Sequence, residues 1–316
     1  MKLLKDVDDF PKNISSSVVS VGNFDGLHLG HQALIHRLKE AAKRENAPSV
    51  VMTFWPHPMQ VLQPERKLKC IFSREDQSRM LSEYGVDFLI VQAFSRSFSE
   101  LTPEQFVVSK LFKPLRPKDL VVGYDFAFGA HKKGSIEFLK QKGDELGFRV
   151  DLIAPVKLKD QIVSSSRIRQ LIAEGDVKFA GEMLRRNFYL EGIVEKGFQR
   201  GRKIGIPTAN ILCLSETTPN AGVYCGYAHL KGEPRFRAVM NIGVNPTFSE
   251  SSHQTIECHL LEFDRDIYGR ELRVEFVSKL RNERKFPGVP ELVTQIQLDI
   301  VEAKKILGEL GSNEMD

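Results

Sequence analysis

The sequence predicts two modules: an α/β module built on a parallel sheet, then an all-β module, an antiparallel β-barrel closed by a terminal helix. Three observations carry this. Through the first half, near-continuous apolar runs alternate with amphipathic segments, the pattern of a parallel sheet covered on both faces. From about Tyr189 the texture changes to short strand-like runs separated by Gly, Asn and Pro turns, with no long helix between them. After Pro290, Leu292, Ile296, Ile300, Ala303 and Leu307 recur on one helical face. The change of texture sets the domain boundary near Arg186, giving modules 1–186 and 187–316.

Each element follows in order. "SVVSVGNF" reads as a strand and "GHQALIHRLKEAAKREN" as an amphipathic helix, followed by the strand "SVVMTF". In "SREDQSRMLSEYG", Ser73 is a candidate N-cap with Asp76 three residues on, and Gly85 a stop. "DFLIVQ" is the next strand, and "TPEQFVVSKLF" opens a helix with Thr102 as N-cap and Pro103 at the first helical position. "DLVVG", a helix from about Ser135 and "FRVDLI" continue the alternation. Two short helices, "SSRIRQLIAEGD" and "VKFAGEMLRR", close the first half. The barrel strands are "YLEGIVEKG", "GVYCGYAHL", "FRAVMNIG", "TIECHLLEF" and "LRVEFVSKL".

Composition narrows the function classes. The chain has 316 residues, 41% of them apolar and 27% charged, with a net charge of +4. That balance suits anionic small molecules and lacks the dense Lys/Arg blocks of nucleic-acid binding. No apolar run approaches a membrane span, and "MKLLKDVDDFPKN" has no signal-peptide core. Cys70, Cys213, Cys225 and Cys258 are scattered without a C-x-x-C, which points to buried thiols in a reducing cytoplasm.

Chemistry-bearing residues gather at the carboxyl ends of the parallel strands, where such sheets bind ligands. "GNFDGLHLGH" (22–31) joins a strand to a helix, so it offers free backbone N–H groups and the positive end of a helix dipole to an anion. Gly22 and Gly26 allow close backbone approach, and His28 and His31, at i and i+3, face the same way as phosphate donors. Zinc would require further ligands at suitable spacing, and two solvated histidines are the plain alternative. "SSSRIRQLI" adds a serine cap at 164–166 and two planar forks, Arg167 and Arg169, which suit phosphate.

In the barrel, "EKGFQRGRKIGIPTANI" (195–211) combines Gly197, Gly201 and Gly205 with Arg200, Arg202 and Lys203 ahead of Pro207-Thr208-Ala209-Asn210. Thr208 and Asn210 place two neutral oxygens on one strand face, fitting Mg²⁺ with nucleotide phosphates. Strand alternation turns Ile256, Cys258 and Leu260 to one side and Glu257 to the other. Glu257 is then either a solvent-facing barrel residue or a general base.

With "TFWPHP" (53–58) and "GYDFAFG" (123–129), "GNFDGLHLGH" and "SSSRIR" resemble the Rossmann-like HxGH nucleotidyltransferases, specifically the adenylyltransferase module of bacterial bifunctional riboflavin kinase/FAD synthetases. The resemblance implies an ATP site at Gly22, Phe24, Asp25, Gly26, His28, His31, Ser165, Arg167 and Arg169. It implies a flavin site at Pro56, His57, Pro58, Asp125 and Phe128. Trp55 stands where the family often has an acidic residue, Asp125 where it often has Asn, and Arg185 where it commonly has Gly.

From about Leu190 to Leu307 the chain resembles the riboflavin kinase module, through "GRKIGIPTANI", "AGVYCGYAHL", "NIGVNPTF" and "TIECHLLEFDRDIYGRELRVEFVSKLRNERKF". This implies ATP contacts at Gly197, Gly201, Lys203, Gly205, Pro207, Thr208 and Asn210, Mg²⁺ at Thr208 and Asn210, and Glu257 as base, with Glu257, His28, His31 and Arg167 as the catalytic set. The implied activity makes FMN from riboflavin, then FAD from FMN, in the cytoplasm. Expected partners are riboflavin, FMN and ATP, with no nucleic acid or membrane, for a monomer or weak homo-oligomer. The alternative is one live activity, with the other module a flavin-binding or regulatory scaffold.

Overall fold

The structure, a computed structural model, describes residues 1–197, 201, 204–213, 215–244 and 254–311. Packing divides the chain into two compact units, Met1–Ser165 and Ser166–Asp316.

The first unit is built on six parallel strands in the order β1-β4-β3-β2-β5-β6. In chain order its elements are β1 (Lys2–Leu4), β2 (Ser17–Val21), α1 (Leu29–Glu45), β3 (Ser49–Trp55), α2 (Pro58–Leu62), α3 (Arg74–Glu83), β4 (Phe88–Ala93), β5 (Pro117–Gly123), α4 (Ile136–Leu146) and β6 (Arg149–Ile153). A two-stranded hairpin, β7 (Lys157–Leu158) and β8 (Gln161–Ile162), follows. The apolar runs read as strands form the sheet, and the central β2 is buried along its whole length. Val19, Val21, Met52, Ile90, Leu120 and Val122 form one face's core with residues of the helical run 103–115, among them Phe106 and Leu111. The expected caps form: Ser73 accepts from the Asp76 N–H, and Thr102 and Gln105 cap each other reciprocally. Edge strand β1, only three residues long, carries no period that sequence reading could catch.

The second unit begins with α5 (Ser165–Glu174), which straddles the division, and α6 (Val177–Leu184). A closed antiparallel barrel follows, in the order β10-β13-β12-β11-β14-β9. Its strands are β9 (Phe188–Glu195), β10 (Ala209–Cys213), β11 (Gly222–Leu230), β12 (Phe236–Val244), β13 (Gln254–Leu260) and β14 (Glu271–Arg281). The closing helix is α7 (Val289–Gly311). Closure removes exposed strand edges. Alternation sorts the side chains: Phe188, Tyr224 and Phe276 meet inside, with Tyr224 edge-on to Phe276 at 5.4 Å. On the outer face Val223, Cys225 and Val277 pack under Ala303 and Leu307 of α7, which are 0% and 3% exposed. Arg281 pins the same helix through both carboxylate oxygens of Asp299, at 2.8–3.0 Å.

Arg185 ends α6 with φ +57°, a left-handed C-cap. Glycine adopts that conformation without steric cost, which accounts for the position at which the chain departs from the family pattern.

Candidate functional sites

The turn after β2 is wound tightly. Phe24, Gly26 and Leu27 all have positive φ, at 51°, 84° and 43°. Glycine takes this readily. Phe24 and Leu27 are held in it by complete burial of their side chains, 0% and 1% exposed. The turn is clamped from four sides. Thr53 of β3 donates to the Asn23 carbonyl at 3.1 Å, and Gln77 of α3 donates to the same oxygen at 2.7 Å. The Asp25 carboxylate accepts the Ile71 N–H at 2.9 Å, and the Ser165 hydroxyl at the start of α5 donates to the Asp25 carbonyl at 2.9 Å.

That winding delivers His28 as the N-cap of α1, its Nδ1 accepting the His31 N–H at 3.4 Å. A nitrogen that accepts carries no proton, so in the neutral ring the proton sits on Nε2. The two imidazoles stack with centroids 3.7 Å apart, and Phe24 lies against His31 at 5.2 Å. Burial, with the neighbouring His28 ring adding to it, pushes His31 well below the usual histidine range. His31 Nδ1 is shielded from solvent and has no hydrogen-bond partner among the described residues. A half-buried imidazole whose shielded Nδ1 lacks a partner, at a helix N-terminus, suits a ligand that brings acceptor oxygens. Gly30 has a role that its spacing did not disclose: a Cβ there would lie 3.2 Å from the His28 ring.

Arg167 and Arg169 lie on α5, two and four residues beyond Ser165, and both are half-buried. Arg167 approaches Glu174 at 3.8 Å. Beside the turn lies an open cleft whose walls include Phe24, Asp25, Trp55, His57, Cys70 and Arg74. His57 caps α2, its Nδ1 accepting the Met59 N–H at 3.1 Å, with Pro58 as the first helical residue. Asp125 is exposed, whereas Phe128 is buried beside Phe106 and Phe126, at 5.4 and 5.3 Å. Phe128 thus supports its turn from beneath. A chain of ring contacts through Phe98 and Phe106 joins Phe128 to Phe54, two residues before Pro56.

In the barrel, Asn210 of β10 and Glu257 of β13 are register partners. Asn241 of β12 is the partner of Glu257 on its other side. All three are half-buried, while Ile256 and Cys258 are 1% and 0% exposed on the opposite face. Cys258 is correspondingly inert, its thiol pushed up to about 12 by burial. His259 Nδ1 meets the Pro207 carbonyl at 2.7 Å, fixing the chain just ahead of Thr208. Gly197 is a contact rather than a hinge, because a Cβ there would fall 2.2 Å from Asn210 Nδ2. Gly205 turns with φ +76°. Lys203, Arg200, Arg202 and the 245–248 part of "NIGVNPTF" lie outside the described residues.

The Thr208 and Asn210 side chains lie against Gly201 and Gly197, and their two neutral oxygens are of the kind that would join phosphate and water around a Mg²⁺. Among the described residues no three His, Cys, Asp or Glu side chains cluster as a metal site. Nor is any helix among them long and apolar enough to cross a membrane.

A parallel sheet whose second strand ends in a histidine-bearing turn, followed by a closed barrel that sets a carboxylate between two amides, defines a two-module protein. Comparison with known proteins specifies it. A FAD synthetase family model matches residues 10–167, and a riboflavin kinase family model matches 184–307. The bifunctional riboflavin kinase/FMN adenylyltransferase of Escherichia coli K12 is 35% identical over 98% of both chains. The protein of the same description from Bacillus subtilis is 36% identical over 94% of both. A crystal structure described as a macrolide-efflux protein from Streptococcus pneumoniae is 35% identical, covers 96% of this chain and 98% of its own, and superposes with a TM-score of 0.88. The chain belongs to the bifunctional riboflavin kinase/FMN adenylyltransferase family.

Proposed function

We propose that the chain phosphorylates riboflavin with ATP to FMN in residues 187–316, and adenylylates FMN with ATP to FAD and pyrophosphate in residues 1–186. The observation that carries the reading is the Asn210–Glu257 register pair, because an alcohol needs a base to attack a phosphorus and a phosphate does not.

In the kinase module Glu257 takes the proton from the terminal ribityl hydroxyl as its oxygen bonds to the γ-phosphorus and ADP departs. Thr208 and Asn210 would hold Mg²⁺, which would neutralise charge on the triphosphate. Gly197, Gly201, Gly205 and Pro207 flank the nucleotide.

In the adenylyltransferase module the FMN phosphate attacks the α-phosphorus of ATP and the bond to pyrophosphate breaks. The attacking group has a second pKa of about 6, so it is largely dianionic at neutral pH without a protein base. What remains is alignment and charge neutralisation. Backbone amides of the Gly22–His28 turn, His28 Nε2–H, His31, Arg167 and Arg169 supply these, with Ser165 holding the turn. Pro56, His57, Pro58, Asp125 and the turn supported by Phe128 flank the flavin. The enzyme works in the cytoplasm, where its four free cysteines stay reduced.

The test is chromatography of flavins after incubating the chain with riboflavin, ATP and Mg²⁺. FMN followed by FAD is expected. FMN alone would leave one live activity, and neither product would overturn the reading.

A further inference from the structure

Trp55 is the chain's single tryptophan. It ends β3 on the wall of the cleft, and its residue surface is 36% exposed. Its backbone is fixed, pairing with Ala93 and accepting the Phe94 N–H at 2.9 Å. Its indole, by contrast, makes no hydrogen bond or ring contact among the described residues. The adjacent Phe54 ring lies 5.8 Å from both Phe94 and Phe98. A large ring with about a third of its residue surface open on a cleft wall gains apolar burial and a stacking term when a planar group covers it.

We infer that Trp55 is the surface on which the isoalloxazine ring of FMN stacks during adenylyl transfer, an inference that rests on the function proposed above. Position favours the flavin over adenine. The phosphate-directed groups follow β2, and α5 starts against that same turn through Ser165. Trp55 lies one strand away, on β3, immediately before the Pro56–Pro58 turn. The same cleft is lined by apolar Phe24, Phe54 and Phe72 and by polar His57, Arg74 and Gln77. A three-ring system matches both, with a dimethylbenzene edge for the apolar side chains and a pyrimidine edge for the polar ones.

Two measurements test this, with riboflavin phosphorylation by the barrel as the check on folded enzyme. Steady-state FAD formation from supplied FMN should show the KM for FMN rising about three- to tenfold in Trp55→Ala. KM for ATP and kcat should hold, and Trp55→Phe should recover most of the loss. Titrating FMN without ATP should give a red-shifted, weakened visible flavin band in the wild type. The wild-type minus Trp55→Ala difference spectrum removes any signal from FMN bound in the barrel. An unchanged KM for FMN would overturn the inference. So would a rise in KM for ATP instead, which assigns the ring to adenine, or equal recovery by Trp55→Leu, which shows bulk rather than stacking. Failure of the wild type to make FAD would refute the function itself, and the spectral titration would still decide whether Trp55 meets the flavin.

Discussion

Asn210 and Glu257 stand opposite each other in the register between β10 and β13, on the outer face of the barrel. Direct cross-strand partners have Cβ atoms about 5 Å apart, so the amide oxygen and the carboxylate address one small volume. The strand pairing holds them there, in a closed barrel whose interior residues Ile256 and Cys258 lock the register. A one-residue slip would bury Glu257 and expose Cys258, and burial of an unpaired carboxylate forbids it.

Gly197 sets the position of the Asn210 amide. A Cβ at residue 197 would stand 2.2 Å from Nδ2, so Gly197→Ala must displace either the loop or the amide. Riboflavin phosphorylation should fall at least tenfold, while FAD formation from supplied FMN stays at the wild-type rate. Equal loss of both would show a folding defect instead.

His31 makes stability pH-dependent. Its folded-state pKa lies well below the usual value, so between the two values the unfolded chain binds more protons. Its contribution is therefore full above the unfolded pKa of about 6.5 and is lost as pH falls below it, by at most about 1.4 kcal/mol per pH unit. Urea unfolding at pH 7.5 and 5.5 should show a smaller pH-dependent loss in His31→Asn than in the wild type. An identical loss would assign the dependence to other groups.

Arg185 carries a left-handed φ of +57° at the end of α6. Arg185→Gly relieves that strain at some cost in unfolded-chain entropy, and the net gain should be about 0.5–1 kcal/mol. A thermal melt showing lower stability would mean that the arginine side chain contributes more than its backbone costs.

The two modules were legible because their burial patterns differ. Strands such as "SVVSV" are buried on both faces and read as continuous apolar runs, while "TIECHLLEF" alternates and so assigns Glu257 its face. The caps at Ser73 and Thr102 were legible because capping is local chemistry. What the sequence hid depends on tertiary contact. Phe24 and Leu27 are ordinary apolar letters whose left-handed backbone is set by their burial. Gly30 and Gly197 look like flexible punctuation, yet each makes room for one side chain, the His28 ring and the Asn210 amide. Asn241 flanks Glu257 through a register that no local pattern encodes.

The central claim is that two chemistries with different needs occupy two sites on one chain. Glu257→Gln tests it most directly, because the amide keeps the shape of the carboxylate and removes its basicity. Riboflavin phosphorylation should fall by several orders of magnitude while FAD still forms from supplied FMN at the wild-type rate, and His31→Ala should give the mirror result. Parallel loss of both activities in Glu257→Gln would contradict the two-site account.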